Sequence, residues 1–197
     1  MASETEICQL ALAHIGDQYD IASLTENSTE AEICNLVYEP TRDMMLRGHT
    51  WGFAKKYRTL VALDGEEPGI WEYMFTYPTD CLKIRYVNKA TGKHLHNPVE
   101  FEVSLNDEDK KVILCDEAEP VIVYTKAVTN PGLFDSSFYM ALSYAVASRI
   151  AIPLTGDKEL ASEMWKMAFA EVTTAESEDS AETVEPTLPE ATWIDAR

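Results

Sequence analysis

Trp71-Glu-Tyr-Met-Phe-Thr-Tyr-Pro-Thr-Asp-Cys-Leu82 carries an aromatic ring at every second position from Trp71 to Tyr77. A period of two is that of an extended strand, and a helix cannot align those rings. The spacing predicts Trp71, Tyr73, Phe75 and Tyr77 on one strand face. Pro78 then withholds an N–H from any ladder, and Thr79-Asp80 supply turn chemistry before Cys81 resumes an extended pattern.

The stretch belongs to a block of short strands from about Phe53 to Lys126, with Leu82/Ile84/Tyr86, Phe101/Val103/Leu105, Val112-Ile-Leu114 and Val121-Ile-Val-Tyr124 as its other members. Asp64-Gly65, Thr91-Gly92, Asn97-Pro98, Asn106-Asp107 and Glu119-Pro120 separate them as turn signals. No crossover helix intervenes, so the block reads as an antiparallel sandwich or small barrel.

Both flanks carry helical periodicity. Ser3-x-x-Glu6 fits a capping box, followed by the stripe Ile7, Leu10, Ala11, His14 and Ile15, with Gly16 as a left-handed stop. Ser28 or Thr29 opens a second helix, with Ile33, Leu36, Val37 and Met44 on one face and Cys34, Tyr38 and Met45 widening it. Pro40 predicts a kink or break near Val37–Glu39. After Asn130-Pro-Gly132, Asp135 or Ser136 caps a helix with the face Phe138, Ala141, Leu142, Ala145, Val146 and Ile150, which Pro153 and Gly156 stop. Asp157 caps a fourth, with Leu160, Ala161, Met164, Met167, Ala168 and Val172.

The two helix pairs can bury their stripes on each other, which predicts an α+β chain: a four-helix bundle (1–52 and 131–175) with a β module (53–130) inserted between its second and third helices. Residues 176–197 are acidic and rich in Ser and Thr, a composition expected to stay extended. That tail nonetheless ends in the apolar pair Trp193-Ile194, an anchor for a partner or for the body of the protein.

Composition narrows the function. Hydrophobic residues make up 46% of the 197, enough for a core. No apolar run approaches the roughly 18 residues of a membrane span, and the first residues lack a basic-then-apolar leader, so neither a membrane nor secretion is expected. The formal charge is −18, from 34 acids against 16 Lys and Arg. Affinity for nucleic acid comes from Lys and Arg displacing counterions, so a DNA-reading role is not expected.

Cys8, Cys34, Cys81 and Cys115 lie far apart without metal spacing, and read as core thiols. His94 and His96 alternate in a manner that suits two metal ligands, but no third is in sight and an exposed hairpin is the plainer reading. His14 reads as a hydrogen-bonded core residue and His49 as a helix-end residue. No phosphate loop, nucleophile elbow or zincin motif occurs, and no cofactor is expected. Asp80 with Glu72 can be nominated as a glycosidase pair, but with so many carboxylates the nomination is weak.

Three patterns together carry a resemblance: Arg47-Gly-His-Thr-Trp51-Gly-Phe-Ala54, Tyr77-Pro-Thr-Asp-Cys-Leu82 and Trp193-Ile-Asp-Ala-Arg197, supported by Ala11-Leu-Ala-His-Ile-Gly16 and Leu133-Phe-Asp135. In their order and spacing the chain resembles the tail tubular protein A family, the head-to-tail adaptors of short-tailed bacteriophages. Thr50 and Gly52 stand where the family's His-Pro-Trp-Asn-Phe-Ala version has Pro and Asn. The resemblance implies a helical bundle with a β insert. It also implies a ring of twelve copies between the portal and a tail nozzle of the tail tubular protein B type, in the virion neck after assembly in the host cytoplasm. DNA would pass through the lumen without specific binding.

On that reading Trp51, Phe53, Trp71, Tyr77, Pro78 and Asp80 are structural anchors, while Trp193, Ile194 and Arg197 form a portal-contacting tail. No catalysis is expected. A tail-borne cell-wall or polysaccharide hydrolase is the enzymatic alternative, and a stand-alone binding module the third.

Overall fold

The computed structural model describes residues 3–63, 69–90 and 98–182, with 176–182 as backbone only. Among the described residues it is an α+β protein with four α-helices and two three-stranded antiparallel sheets that do not close into a barrel. The chain divides into two compact units. Met1–Ala54 and Lys126–Glu182 form a helical unit, and Lys55–Thr125 forms a β unit.

In the helical unit, α1 (Glu4–His14) starts on the expected capping box. The Glu6 N–H donates to Ser3 Oγ at 3.1 Å and the Ser3 N–H to Glu6 Oε2 at 2.9 Å. It ends in a Schellman motif. Gly16, at φ +78°, donates to the Ala13 carbonyl, and the Asp17 N–H to that of Leu12. These local bonds satisfy backbone groups that a helix end leaves bare. The buried residues of α1 are Ile7, Cys8, Ala11 and Leu12, a stripe slightly rotated from the expected one.

Helix α2 (Thr29–Gly48) is capped by Ser28 and runs through Pro40 without a break. The carbonyl that Pro40 leaves without a donor belongs to Leu36, on the water side, where Leu36 is 74% exposed. The most buried face is Ala31, Cys34, Tyr38, Met45 and Leu46, so Cys34, Tyr38 and Met45, expected only to widen the face, lie at its centre, while Ile33, Val37 and Met44 are half-buried and Leu36 is exposed. Apolar residues occupy two sides of this helix, and Pro40 lies on the side that faces out. Arg42 is also buried, with Asp43 at 2.8 Å, Glu39 at 3.2 Å and Glu4 of α1 at 3.9 Å. Burial pulls its guanidinium pKa down, but Asp43 and Glu39 outweigh that and raise it.

A single 3₁₀ turn, Pro131–Leu133, leads into α3 (Ser136–Thr155). Phe138, Ala141, Leu142, Ala145, Val146 and Ile150 are all fully buried, as their periodicity predicts. Helix α3 packs on α1, on α2 and on α4 (Lys158–Glu182). By length and composition α3 is also apolar enough to cross a membrane, but its buried residues face the other three helices. Pro153 lies inside α3, and Gly156, at φ +73°, stops it. Asp157 Oδ1 then accepts from the N–H groups of Glu159 and Leu160 to begin α4. Helix α4 continues to Glu182, past the point where an extended tail was expected. Helical propagation adds one backbone bond per residue, and Ala175, Ala181 and several Glu sustain it.

In the β unit the strands are β1 (Lys55–Thr59), β2 (Tyr73–Thr76), β3 (Cys81–Lys89), β4 (Glu102–Leu105), β5 (Lys111–Cys115) and β6 (Pro120–Lys126). The sheet orders are β1-β6-β3 and β2-β5-β4. One core cluster draws Phe75, Ile113 and Cys115 from the second sheet and Ile84, Val87, Ile122 and Tyr124 from the first. On the other face of the second sheet, Met74, Val112 and Leu114 form a cluster roofed by Leu63 and Trp71. Strand β5 is thus buried on both faces, which explains its unbroken apolar run. Trp71 precedes β2 and packs on the Met74 side, so three aromatic rings and not four share the Phe75 face. The edge strands β1 and β3 carry Lys55, Lys56, Arg58, Lys83, Arg85 and Lys89 and no acid, a charge pattern that discourages edge-to-edge pairing.

Trp51, 2% exposed, donates its indole N–H to the Met45 carbonyl at 3.0 Å and so satisfies a bare acceptor at the end of α2. Its ring meets Phe138 edge-on at 4.9 Å. We expect Trp51→Ala to destabilise the chain by about 3–5 kcal/mol, and Trp51→Phe, which keeps a ring but loses the donor, by about 1 kcal/mol, both measured by urea denaturation.

Candidate functional site

The turn after β2 gathers several polar contacts of the β unit. The Pro78 carbonyl accepts from the Cys81 N–H at 3.0 Å and closes a β-turn with Thr79-Asp80 at its centre. Pro78 is buried and Asp80 half-buried. Asp80 Oδ2 meets Lys56 Nζ at 2.7 Å, and Asp80 Oδ1 accepts from the Tyr124 hydroxyl at 3.0 Å. Lys56 also lies 5.9 Å from the centre of the Tyr124 ring. Tyr124 is fully buried, so its hydroxyl needs a fixed acceptor. Burial works against the Asp80 carboxylate, yet Lys56 and Tyr124 prevail and hold its pKa below the ordinary range. Asp80 in turn raises Lys56, and burial followed by Asp80 raises Tyr124. The three groups pin the turn to β1 and β6.

Glu72, the other half of the nominated pair, is exposed, and its N–H donates to Asp116 Oδ1 at 3.0 Å. The structure brings no feature to Glu72 that separates it from the other surface carboxylates.

His14 is a satisfied core residue. Its Nε2 is 3.1 Å from Ser143 Oγ, and its ring stacks on Tyr144 at 4.0 Å. The Ser143 proton goes to the Met140 carbonyl at 2.7 Å, so Nε2 of His14 must be the donor. Burial holds its pKa below the ordinary imidazole value. His49 is the residue that follows α2 and stands edge-on to Trp51 at 4.7 Å. The four cysteines are buried. Cys8 and Cys34, distant in sequence, share a hydrogen bond that, with burial, pushes the Cys8 thiol up. Among the described residues no group of three or more His, Cys, Asp or Glu could hold a metal. His94 and His96 lie outside the described residues.

Trp51 and Phe53 join Phe134 and Phe138 in one aromatic cluster with ring centres 4.8–6.0 Å apart. Trp71 donates its indole N–H to Glu102 Oε2 at 3.1 Å, and Tyr77 packs against the Phe75 cluster with Lys111 5.6 Å from its ring centre. Trp193, Ile194 and Arg197 lie outside the described residues. Sequence reading missed a groove of about 280 Å³ where the end of α2 meets α4, lined among others by Met44, His49, Trp165 and Phe169. Trp165 and Phe169 are four residues apart and off the main α4 stripe, which is the signal that could have exposed it.

No family model matches the chain, and no curated protein matches it significantly.

Two pH dependences follow. The folded pKa of Asp80 is depressed, so its contribution is present above the ordinary carboxylate value of about 3.9 and is lost as pH falls through the lower folded value. Asp80→Asn should lower the urea midpoint at pH 7 and flatten its decline in acid. The folded pKa of His14 is also depressed, so stability is full above pH of about 6.5 and falls as the unfolded chain takes up a proton. His14→Gln, whose amide can still donate to Ser143, should remove that dependence above the carboxylate range.

Proposed function

We propose that this chain is a non-catalytic virion protein, a head-to-tail adaptor of the tail tubular protein A type. Twelve copies form a ring between portal and tail nozzle and leave DNA a path through its centre. The observation that carries this reading is the discontinuous helical unit. Its first two helices come from one end of the chain and its last two from the other, and the β unit leaves and returns through the paired strands β1 and β6. At that point the Lys126 N–H donates to the Ala54 carbonyl at 2.8 Å. In this reading the four helices form a bundle and the two sheets a sandwich over the Phe75 cluster.

Charge supports the conduit. The segments of the helical unit hold 18 acids against 6 Lys and Arg, and Lys55–Thr125 holds 13 against 9. Acid on the helical unit facing the lumen repels phosphate, so DNA slides without being gripped. Trp193, Ile194 and Arg197 then dock on the portal as an aromatic anchor on an acidic tether. No observation favours the hydrolase alternative. Asp80 is engaged on both oxygens and held below its ordinary pKa, while a general acid needs that value raised.

The test is native mass measurement after mixing with a portal ring. Addition of twelve copies is expected, and no addition refutes the connector. Ending the chain at Glu182 should abolish that addition with little change in melting temperature, so retained addition refutes the tail contact. Tight binding of duplex DNA at physiological salt refutes the repelling lumen.

A further inference from the structure

The groove between α2 and α4 is an unfilled apolar seat. Ala161, Met164, Ala168 and Ala175 of α4 are buried, and a second stripe, Trp165, Phe169 and Val172, stands beside them. Phe169 is 67% and Trp165 41% exposed. Two neighbouring aromatic side chains left in water beside a cavity of about 280 Å³ mark a place where apolar surface remains to be covered. Met44 and Met45 of α2 form the opposite wall, and methionine adapts to irregular occupants.

The occupant is written into the same chain. Beyond Glu182, the segment 183–197 contains one adjacent aromatic–aliphatic pair, Trp193-Ile194, with Glu190 and Asp195 close on either side in sequence. The helical unit holds few bases, yet Arg149 stands 6.0 Å from the Trp165 ring centre, and Lys166 follows Trp165 in sequence. Arg149 thus offers a positive partner at the groove to a segment that carries acids beside its apolar anchor. Reach permits it. At a rise of 1.5 Å per residue, Phe169 is about 20 Å back along α4 from Glu182. The connection from Glu182 to Trp193 can span up to about 36 Å when extended.

We propose that the groove lined by Met44, Met45, Trp165, Phe169 and Val172 seats Trp193-Ile194 of its own chain. The inference rests on the groove and the reach and is independent of the connector reading. Within that reading, the groove holds the anchor until a portal competes for it.

The full chain labelled with 5-fluorotryptophan gives four ¹⁹F resonances, one for each Trp, assigned by single Trp→Phe substitutions. In the monomer, Trp193 should lie away from the free-tryptophan position and be shielded from solvent. Trp193→Phe should move the Trp165 resonance and leave those of Trp51 and Trp71 in place. Phe169→Asp, at an exposed position and with the circular dichroism melt unchanged, should return Trp193 to the free position. A free Trp193 in the monomeric chain overturns the proposal and leaves the groove to an external partner. A shift that grows with concentration and oligomer mass overturns it in favour of a second copy. A Trp193 still shifted in the Phe169→Asp variant shows a seat elsewhere and overturns it too. No portal is present in the experiment, so its outcome does not depend on portal binding.

Discussion

The burial of α3 is the constraint on which the helical unit depends. Its fully buried residues, Phe138 to Ala151, find their partners on α1, α2 and α4. Two of those helices lie upstream, across the entire β unit. Neither end of the chain can cover its own apolar surface alone, so the unit forms only when both ends meet. Small residues make close approach possible, since Ala141, Ala145, Ala147 and Ala151 are all buried on α3. Loop-closure entropy rises slowly with length, which is why an insert of this size is tolerated. Pairing of β1 with β6 from Lys55↔Thr125 onward brings the two ends of the insert together and reduces that cost further.

The β unit rests on a different balance. Its second sheet is apolar on both faces, with β5 as the strand that both clusters share. The first sheet keeps its edges charged. The Asp80 turn ties polar groups of the β unit together. It serves a buried hydroxyl, an ammonium and a proline-led reversal at once, through side chains 24 and 44 residues apart. Removing the carboxylate leaves Tyr124 with a buried donor and no designated acceptor, so the cost exceeds that of an ordinary surface ion pair.

The parts legible in the sequence are those determined within a few residues. The Ser3 box, the Gly16 and Gly156 stops, the Asp157 cap and the Pro78 turn are local chemistry, and each reads directly. The face of α3 was also legible, because alanine and large apolar residues recur on a single stripe. Helix α2 was misread because apolar residues lie on two of its sides, and the outward placement of Pro40 is decided by tertiary packing. Strand β1, Lys-Lys-Tyr-Arg-Thr, has no apolar alternation to announce it, since as a basic edge strand it buries little. Trp71 was assigned to the wrong cluster because the strand begins only at Tyr73. The Lys56–Asp80–Tyr124 contact and the Cys8–Cys34 hydrogen bond depend on sheet and helix pairing that a single sequence does not state. The groove was missed for a related reason: Trp165 and Phe169 fall outside the stripe that defines α4 as amphipathic.

These two aromatics bear on how so acidic a chain associates with anything. A net charge of −18 opposes contact between copies, and screening reduces but does not abolish that repulsion near contact distance. Association then has to come from apolar burial at restricted places, because that term is short-ranged and indifferent to sign. The aromatics at the α2–α4 groove are such a place, with Arg149 beside Trp165. A segment bound there lowers the exposed apolar area. The charge keeps most of the surface non-adhesive, and the groove concentrates the remaining adhesion at a site that a single tryptophan-bearing segment can occupy or vacate.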